Sequence, residues 1–331
     1  MTRGAASRLW ASARDRTPEP LLERIRLLLA RRLEMRTRRS DAPRGAALVF
    51  HAVAPQAGDV ASEIEPAVGV DELDAAIGYL TRRYAVVRAS EMPGAARTRR
   101  AGERLPVAIT FDDDLASHLE HAAPAIRRHG AVATAFLCGA GEPFWWQLLQ
   151  TAVDSRAITA DALPHVQAAL VGSALQRRPA AARQLARSIE ELAPAERRDV
   201  AAALARAVAD RPPLLGRDGA DALASQGWEI GFHTREHDLL TTLDDAALRV
   251  ALAPASRSGA RTLAYPHGKA TEREARVARD AGYVAAYTGR AEVFDAHTDD
   301  HLIGRLQPDV ATVGGFALRL ARALSAPDRR S

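Results

Sequence analysis

Three adjacent carboxylates close an apolar run, Val107-Ala108-Ile109-Thr110-Phe111-Asp112-Asp113-Asp114. A run of this kind reads as a buried strand, and a buried strand does not end in clustered negative charge unless a cation or a reacting proton offsets it. Asp is also a common helix cap, and helical sequence from Leu115 to His129 follows directly. One of the three could serve that purpose. Three in a row are harder to accommodate, because neighbouring like charges raise one another's pKa and cost stability. Taken alone, capping and a reactive site explain the cluster about equally well.

A second signal lies far downstream, in Trp228-Glu229-Ile230-Gly231-Phe232-His233-Thr234-Arg235-Glu236-His237. Here another short apolar strand runs into two histidines four residues apart, a spacing at which both imidazoles reach one ion if the segment turns helically. Two neutral nitrogens and one carboxylate make a three-ligand metal site, and the carboxylate cluster at another strand end favours that reading over a solvated helix face. A third strand end carries Leu263-Ala264-Tyr265-Pro266-His267-Gly268. Pro and Gly around one residue fix a turn whose backbone amide can point into a pocket, where it could hold a developing oxyanion.

In this order, these residues resemble the polysaccharide deacetylase family with the NodB homology domain, also called carbohydrate esterase family 4. The family's first motif, T-F-D-D-G, matches Thr110 to Asp114 in four of five positions. Its second, H-[S/T]-x-x-H, is complete at His233 to His237, and the Pro-x-Gly core of the third is Pro266 to Gly268. The segments Ala123-Pro124-Ala125-Ile126 and His129 to Leu137 look like the family's following helix and strand. The likeness runs from about Ala46 to Val310, interrupted by one long insertion.

The resemblance implies that Asp112 is the general base and that Asp113, His233 and His237 hold a divalent metal, in this family usually zinc. Three protein ligands leave positions open for water and substrate, so the ion can activate the one and polarise the other. The backbone N–H of His267, where the family usually has Tyr, would help hold the oxyanion; one such donor is typically worth about 3 to 4 kcal/mol of barrier. Three departures stand out. Asp114 replaces the motif's Gly, at a turn where Asp tolerates a left-handed backbone better than most residues. Ala264 stands where the third motif usually has an Arg that pairs with the base, so what tunes Asp112 is open. The family's late Leu-x-His motif, source of the general acid, is absent, and Arg305 lies roughly in its place.

A replacement acid is visible in Ala47-Leu48-Val49-Phe50-His51-Ala52-Val53. This looks like the first strand of the branch that includes poly-N-acetylglucosamine deacetylases, and His51 is accordingly expected to protonate the leaving amine. A purely structural histidine at a strand end is the plainer reading. His118, His121 and His129 read as exposed or packing residues, and His297 and His301 as weaker alternatives for the acid.

The elements that must position these groups follow from the hydrophobic pattern. Strand-like runs at Ala47 to His51, Ala85 to Val87, Val107 to Phe111, Val132 to Leu137, Glu229 to Phe232, Thr262 to Tyr265 and Val284 to Tyr287 alternate with helical segments such as Val70 to Arg83 and Asp244 to Leu252. Groups at the carboxyl ends of parallel strands are the usual site arrangement in α/β barrels. The resemblance implies the family's distorted (β/α)7 barrel, built from residues 46–140 and 217–331. Residues 1–45 read as a basic helical extension and residues 141–216 as a helical insertion. The insertion opens with Phe144-Trp145-Trp146, whose aromatic faces either stack on sugar rings or simply anchor a helix to the core; Trp145 is expected to contact substrate, as are Tyr265 and Pro266 of the third motif.

With 331 residues, 47% of them hydrophobic, the chain can bury a substantial core. The formal charge is only +4, and the arginine clusters Arg97 to Arg100 and Arg31 to Arg39 are loop-like or terminal, which argues against nucleic acid as a partner. Cys138 is the single cysteine, so no internal disulfide forms. No apolar run is long enough to span a bilayer, and around Leu21 to Leu33 Arg and Glu interrupt the apolar residues too often for a secretory segment to be expected. The expectation is a cytoplasmic protein, with peripheral membrane contact through Leu21 to Arg39 as a lesser alternative. The expected activity is metal-dependent removal of N-acetyl groups from amino sugars of a polysaccharide or glycoconjugate. The competitors are an O-deacetylase or amidase with the same centre, and a non-catalytic saccharide-binding homologue.

Overall fold

Seven parallel strands form one curled sheet in the computed structural model, which describes residues 19–139, 141–253 and 260–327. Of the expected N-terminal extension, residues 1–18 lie outside the described residues. The chain then enters a helix, α1 (Glu19–Arg38), with acidic Glu19 in its first turn and Arg36 and Arg38 in its last, as the helix dipole favours. Strand β1 (Ala46–Phe50) follows, then a two-stranded ribbon of β2 (Val53–Ala54) and β3 (Val68–Gly69). Helix α2 (Val70–Arg83), β4 (Ala85–Val87), α3 (Met92–Thr98) and β5 (Pro106–Asp112) come next.

β5 organises the sheet. All seven of its residues are buried, as expected of a parallel strand covered on both faces. β1 pairs along one edge, from Ala46 opposite Val107 to Phe50 opposite Phe111. The other edge is shared: β4 pairs with Pro106 to Ala108, and β6 (Thr134–Leu137) with Thr110 to Asp112. Ala89 N–H donates to Thr134 Oγ1 at 2.9 Å where one strand hands over to the next. This hand-over is one source of the barrel's distortion. Along β5, Val107, Ile109 and Phe111 pack outward under the helices, while Ala108 joins a small inner cluster with Ala47, Phe136, Ala264 and Tyr287. The two-residue period therefore turns Thr110 and Asp112 inward.

A continuous helix over Leu115 to His129 does not form. A wide π-type turn, His118–Ala122, precedes a short α4 (Ala123–Arg128), because Pro124 has no N–H to continue the ladder. After β6 come α5 (Trp145–Ser155), α6 (Ala168–Leu175), α7 (Ala181–Glu190) and α8 (Pro194–Ala207). Their apolar faces meet one another in a separate cluster that includes Leu149, Val171, Leu185, Ile189 and Leu204. The chain returns through α9 (Gly216–Ser225) to β7 (Glu229–Phe232), α10 (Asp245–Leu252), β8 (Thr262–Ala264), α11 (Glu272–Asp280) and β9 (Ala285–Tyr287).

Residues 303–306 then run between the last strand and the first. Thr288 N–H donates to Ile303 O at 2.7 Å and Leu306 N–H to Ala47 O at 2.8 Å, so the segment closes the barrel. Helix α12 (Val313–Leu324) packs beside α1 outside that seam. No described helix is long and apolar enough to cross a membrane.

Candidate metal and catalytic site

The first motif turns sharply at the end of β5. The left-handed residue is Asp113, with φ of 73°, and not Asp114 as the sequence suggested. Asp114 is buried; its Oδ1 accepts the Cys138 N–H at 3.2 Å and its carbonyl accepts the Leu215 N–H at 2.9 Å. It ties the motif to the end of β6 and to the chain re-entering the barrel. Asp112 points into the barrel and meets Arg305, whose Nη1 and Nη2 each stand 2.6 Å from a carboxylate oxygen. Arg305 Nη1 also donates to Thr110 Oγ1 at 3.3 Å, and its Nε to Thr288 O at 3.2 Å. Burial pushes the Asp112 carboxyl up, but the Arg305 charge outweighs it, with His233 and hydrogen bonding adding, and brings it down to about 2. Arg305 thus makes with Asp112 the pairing that Ala264 cannot, from a position nearly two hundred residues away. Its only local sign was a charge set in the apolar run Leu302-Ile303-Gly304-Arg305-Leu306.

The second motif is not a helix. Thr234 and His237 take left-handed backbone, with φ of 60° and 49°, and this bent loop brings the two imidazoles to a centroid separation of 4.9 Å. His233 Nδ1–H donates to Ala264 O at 2.8 Å, which turns the Nε2 lone pair toward Asp113. Both His233 Nε2 and His237 Nε2 stand 3.6 Å from Asp113 Oδ1. Two ligands about 2.1 Å from a tetrahedral ion stand about 3.4 Å apart, so the spacing suits a shared cation. Donor atoms of Asp113, His233 and His237 all lie within 4.8 Å of one another, and buried Asp113 Oδ1 has no hydrogen-bond partner. Burial pushes the His233 pKa down to about 4 and that of His237 well below its ordinary value, leaving both neutral, as ligands must be. Burial also lifts the Asp113 carboxyl to about 7, with His51 opposing and Asp112 adding. The donor set fits a divalent ion, and softer thiolate chemistry is absent from it.

His51 leaves β1 on its inward face and lines the same cavity, of about 410 Å³, as Asp112, Asp113 and both histidines. Its Nδ1 is 3.1 Å from Glu65 Oε1. Burial works against protonation, but the Glu65 charge and hydrogen bond, with Asp112 and Asp113, raise the imidazole to about 9. Glu65 escaped the sequence reading because it sits in a loop without motif, between β2 and β3. Ile64 beside it packs against the apolar cluster of α5 to α8 and donates its N–H to Gln150 Oε1 at 2.8 Å.

The third motif forms a tight turn, Pro266–Gly268, in which His267 is left-handed with φ of 56°. Gly268, at φ of 65°, abuts Gly289; a Cβ there would stand 2.6 Å from the Gly289 nitrogen. The His267 ring reaches the cavity wall, and its Nδ1 meets Glu190 Oε1, at the end of α7, at 2.9 Å. Glu190 was not anticipated either. Tyr265, expected to touch substrate, is instead fully buried and donates its hydroxyl to His301 O at 2.9 Å; it packs in the core between β8 and α11. Pro266 is buried within the turn and is not part of the cavity wall, whereas Trp145 is. Trp146 and Phe144 flank His237, at centroid distances of 4.6 and 5.4 Å. Of the remaining histidines, His118 is buried against Phe111 and pushed down to about 4 by that burial, and His301 Nε2 donates to Tyr283 O at 2.8 Å.

A family model described as polysaccharide deacetylase matches residues 99–286. Among solved structures, the Streptococcus pyogenes deacetylase PplD in complex with acetate is similar, with a TM-score of 0.56 at 12% identity over 86% of this chain and 99% of that one. A polysaccharide deacetylase from Bacillus cereus has a TM-score of 0.50 at 12% identity, over 83% of this chain and 68% of that one. At these identities the likeness is one of fold. No curated protein matches the chain.

Proposed function

The chain belongs to the polysaccharide deacetylase family, and from that premise we propose that it is a metal-dependent hydrolase removing N-acetyl groups from amino sugars of a polysaccharide or glycoconjugate. The observation that carries this reading is the convergence of Asp113, His233 and His237, with an orphaned buried oxygen, beside an ionised Asp112. Asp113, His233 and His237 would hold the ion, and zinc is the ion proposed. When bound, it supplies Lewis acidity that lowers the pKa of water and polarises an amide carbonyl.

The protein's own groups supply the proton movements. Asp112 Oδ, kept ionised and aimed by Arg305, takes the proton of the water attacking the acetyl carbon. The His267 N–H, in its left-handed turn, donates to the oxyanion that develops. His51, held as an imidazolium by Glu65, gives its proton to the sugar nitrogen as the carbon–nitrogen bond breaks, releasing acetate and the free amine. Trp145 offers an apolar wall on which a sugar ring can lie. The test is acetate release from N-acetylglucosamine oligomers with added zinc or cobalt and after chelation. Release that chelator abolishes and metal restores supports the proposal. Activity confined to O-acetyl esters would replace the substrate class, and no metal uptake with no hydrolysis would leave a saccharide binder.

A further inference from the structure

Helix α1 turns one face to solvent. Its other face is taken by α12: Glu23 Oε2 accepts the Gly314 N–H at 2.6 Å near one end, and the Thr37 and Ser325 hydroxyls stand 2.7 Å apart near the other. Toward solvent it presents Leu21, Ile25, Leu28, Leu29 and Met35, between 40% and 61% exposed. Among the described residues only Val60, Val250 and Val284 are other large apolar side chains of that kind, and they are scattered singly. The five on α1 fall on one side of a 3.6-residue helix. Arg24, Arg31, Arg32, Arg36 and Arg39 are exposed on the same side, concentrated toward the C-terminal half. The one exposed acid of the helix, Glu19, is already paired with Arg26 at 2.7 Å.

We propose that this face is a docking surface for an anionic lipid bilayer, with the helix lying in the membrane interface. The leucines and Ile25 would enter the acyl boundary, while the guanidinium groups meet headgroup phosphates, which they bind with matched, multiple hydrogen bonds. A second copy of the chain fits this face poorly, because its five arginines would meet five more with no free carboxylate to offset them. An oligonucleotide would leave the leucines without partners, since the face carries no aromatic ring to stack on bases.

The experiment is co-sedimentation of the full chain with vesicles of phosphatidylcholine alone and of phosphatidylcholine with phosphatidylglycerol. Binding is expected only to the second kind, weakening as salt is raised. An Arg31→Gln/Arg32→Gln variant should lose roughly fivefold in partitioning per arginine removed. An Ile25→Ser/Leu28→Ser/Leu29→Ser variant should lose binding while its thermal midpoint falls only a little, because these side chains are at least 40% exposed. Failure to sediment with the anionic vesicles, or equal sedimentation with both kinds, overturns the proposal. So does a concentration-dependent dimer that Leu28→Ser dissolves, because the face would then belong to a second copy.

Discussion

Replacing Glu65 by Gln removes the carboxylate opposite His51 while keeping the shape of the side chain. The facing atoms are 3.1 Å apart, and the two side chains are 25% and 37% exposed. Unit charges at that spacing attract by about 5 kcal/mol at an effective dielectric of 20 and by about 1.3 kcal/mol in bulk water. A pair at the wall of an open cavity lies between these limits, near about 2.5 kcal/mol, or about two pK units after allowance for screening. His51, raised to about 9 in the native protein, should therefore titrate near about 7 in Glu65→Gln. If the imidazolium is the proton donor, kcat/KM is sustained below the His51 pKa and falls as pH rises through it. The alkaline limb of the profile then moves down with the substitution, while the rate on its acid side changes little. Stability carries the same sign: a folded-state pKa above the ordinary value stabilises fully below about 6.5, and the gain is lost as pH rises through 9. The urea midpoint of the metal-free protein should decline across that window and that of Glu65→Gln should decline much less. Histidine NMR of the metal-free protein follows the ring directly. An alkaline limb that stays near 9 in Glu65→Gln, or a His51 that titrates at its ordinary pKa in the native protein, refutes the assignment of this pair.

Asp112→Asn should retain bound metal, measured by atomic emission, while losing about a hundred- to ten-thousand-fold in turnover, whereas His233→Ala should lose both; native turnover in Asp112→Asn would remove that residue from the role of base. Arg305→Met leaves a buried carboxylate without its partner and should cost about 3 to 5 kcal/mol in denaturant unfolding, part of it recovered when Asp112→Asn is added. A native midpoint in the single variant would show that the pair contributes nothing. Gly268→Ala places a methyl against Gly289 at a left-handed position and should cost about 1 to 3 kcal/mol, seen as a lowered Tm. An unchanged Tm would mean that the third-motif turn relaxes freely.

Much of the scaffold could be read along the chain. The apolar runs ending at Phe50, Asp112, Leu137, Phe232 and Ala264 all became parallel strands, because burial on both faces selects continuous hydrophobic sequence. The pairing of a carboxylate at one strand end with two histidines at another was visible from residue type alone. The local backbone was not. A spacing of four suggested a helix for His233 to His237, yet the same two rings meet through a loop with two left-handed residues, which ring proximity does not distinguish. Tyr265, expected from the sequence to contact substrate, is turned into the core by strand alternation.

The amino-acid sequence by itself determined which residue types stand at the strand ends and hence the chemistry available there, because hydrophobic period and motif spacing are short-range properties. Tertiary structure alone decided the partners that tune that chemistry. Arg305 reaches Asp112 only because residues 303–306 close the barrel between β9 and β1, and Glu65 and Glu190 reach His51 and His267 from a loop and a helix with no motif of their own. Charge interactions act through space and depend on distance and burial, so their partners appear only once the chain has closed on itself.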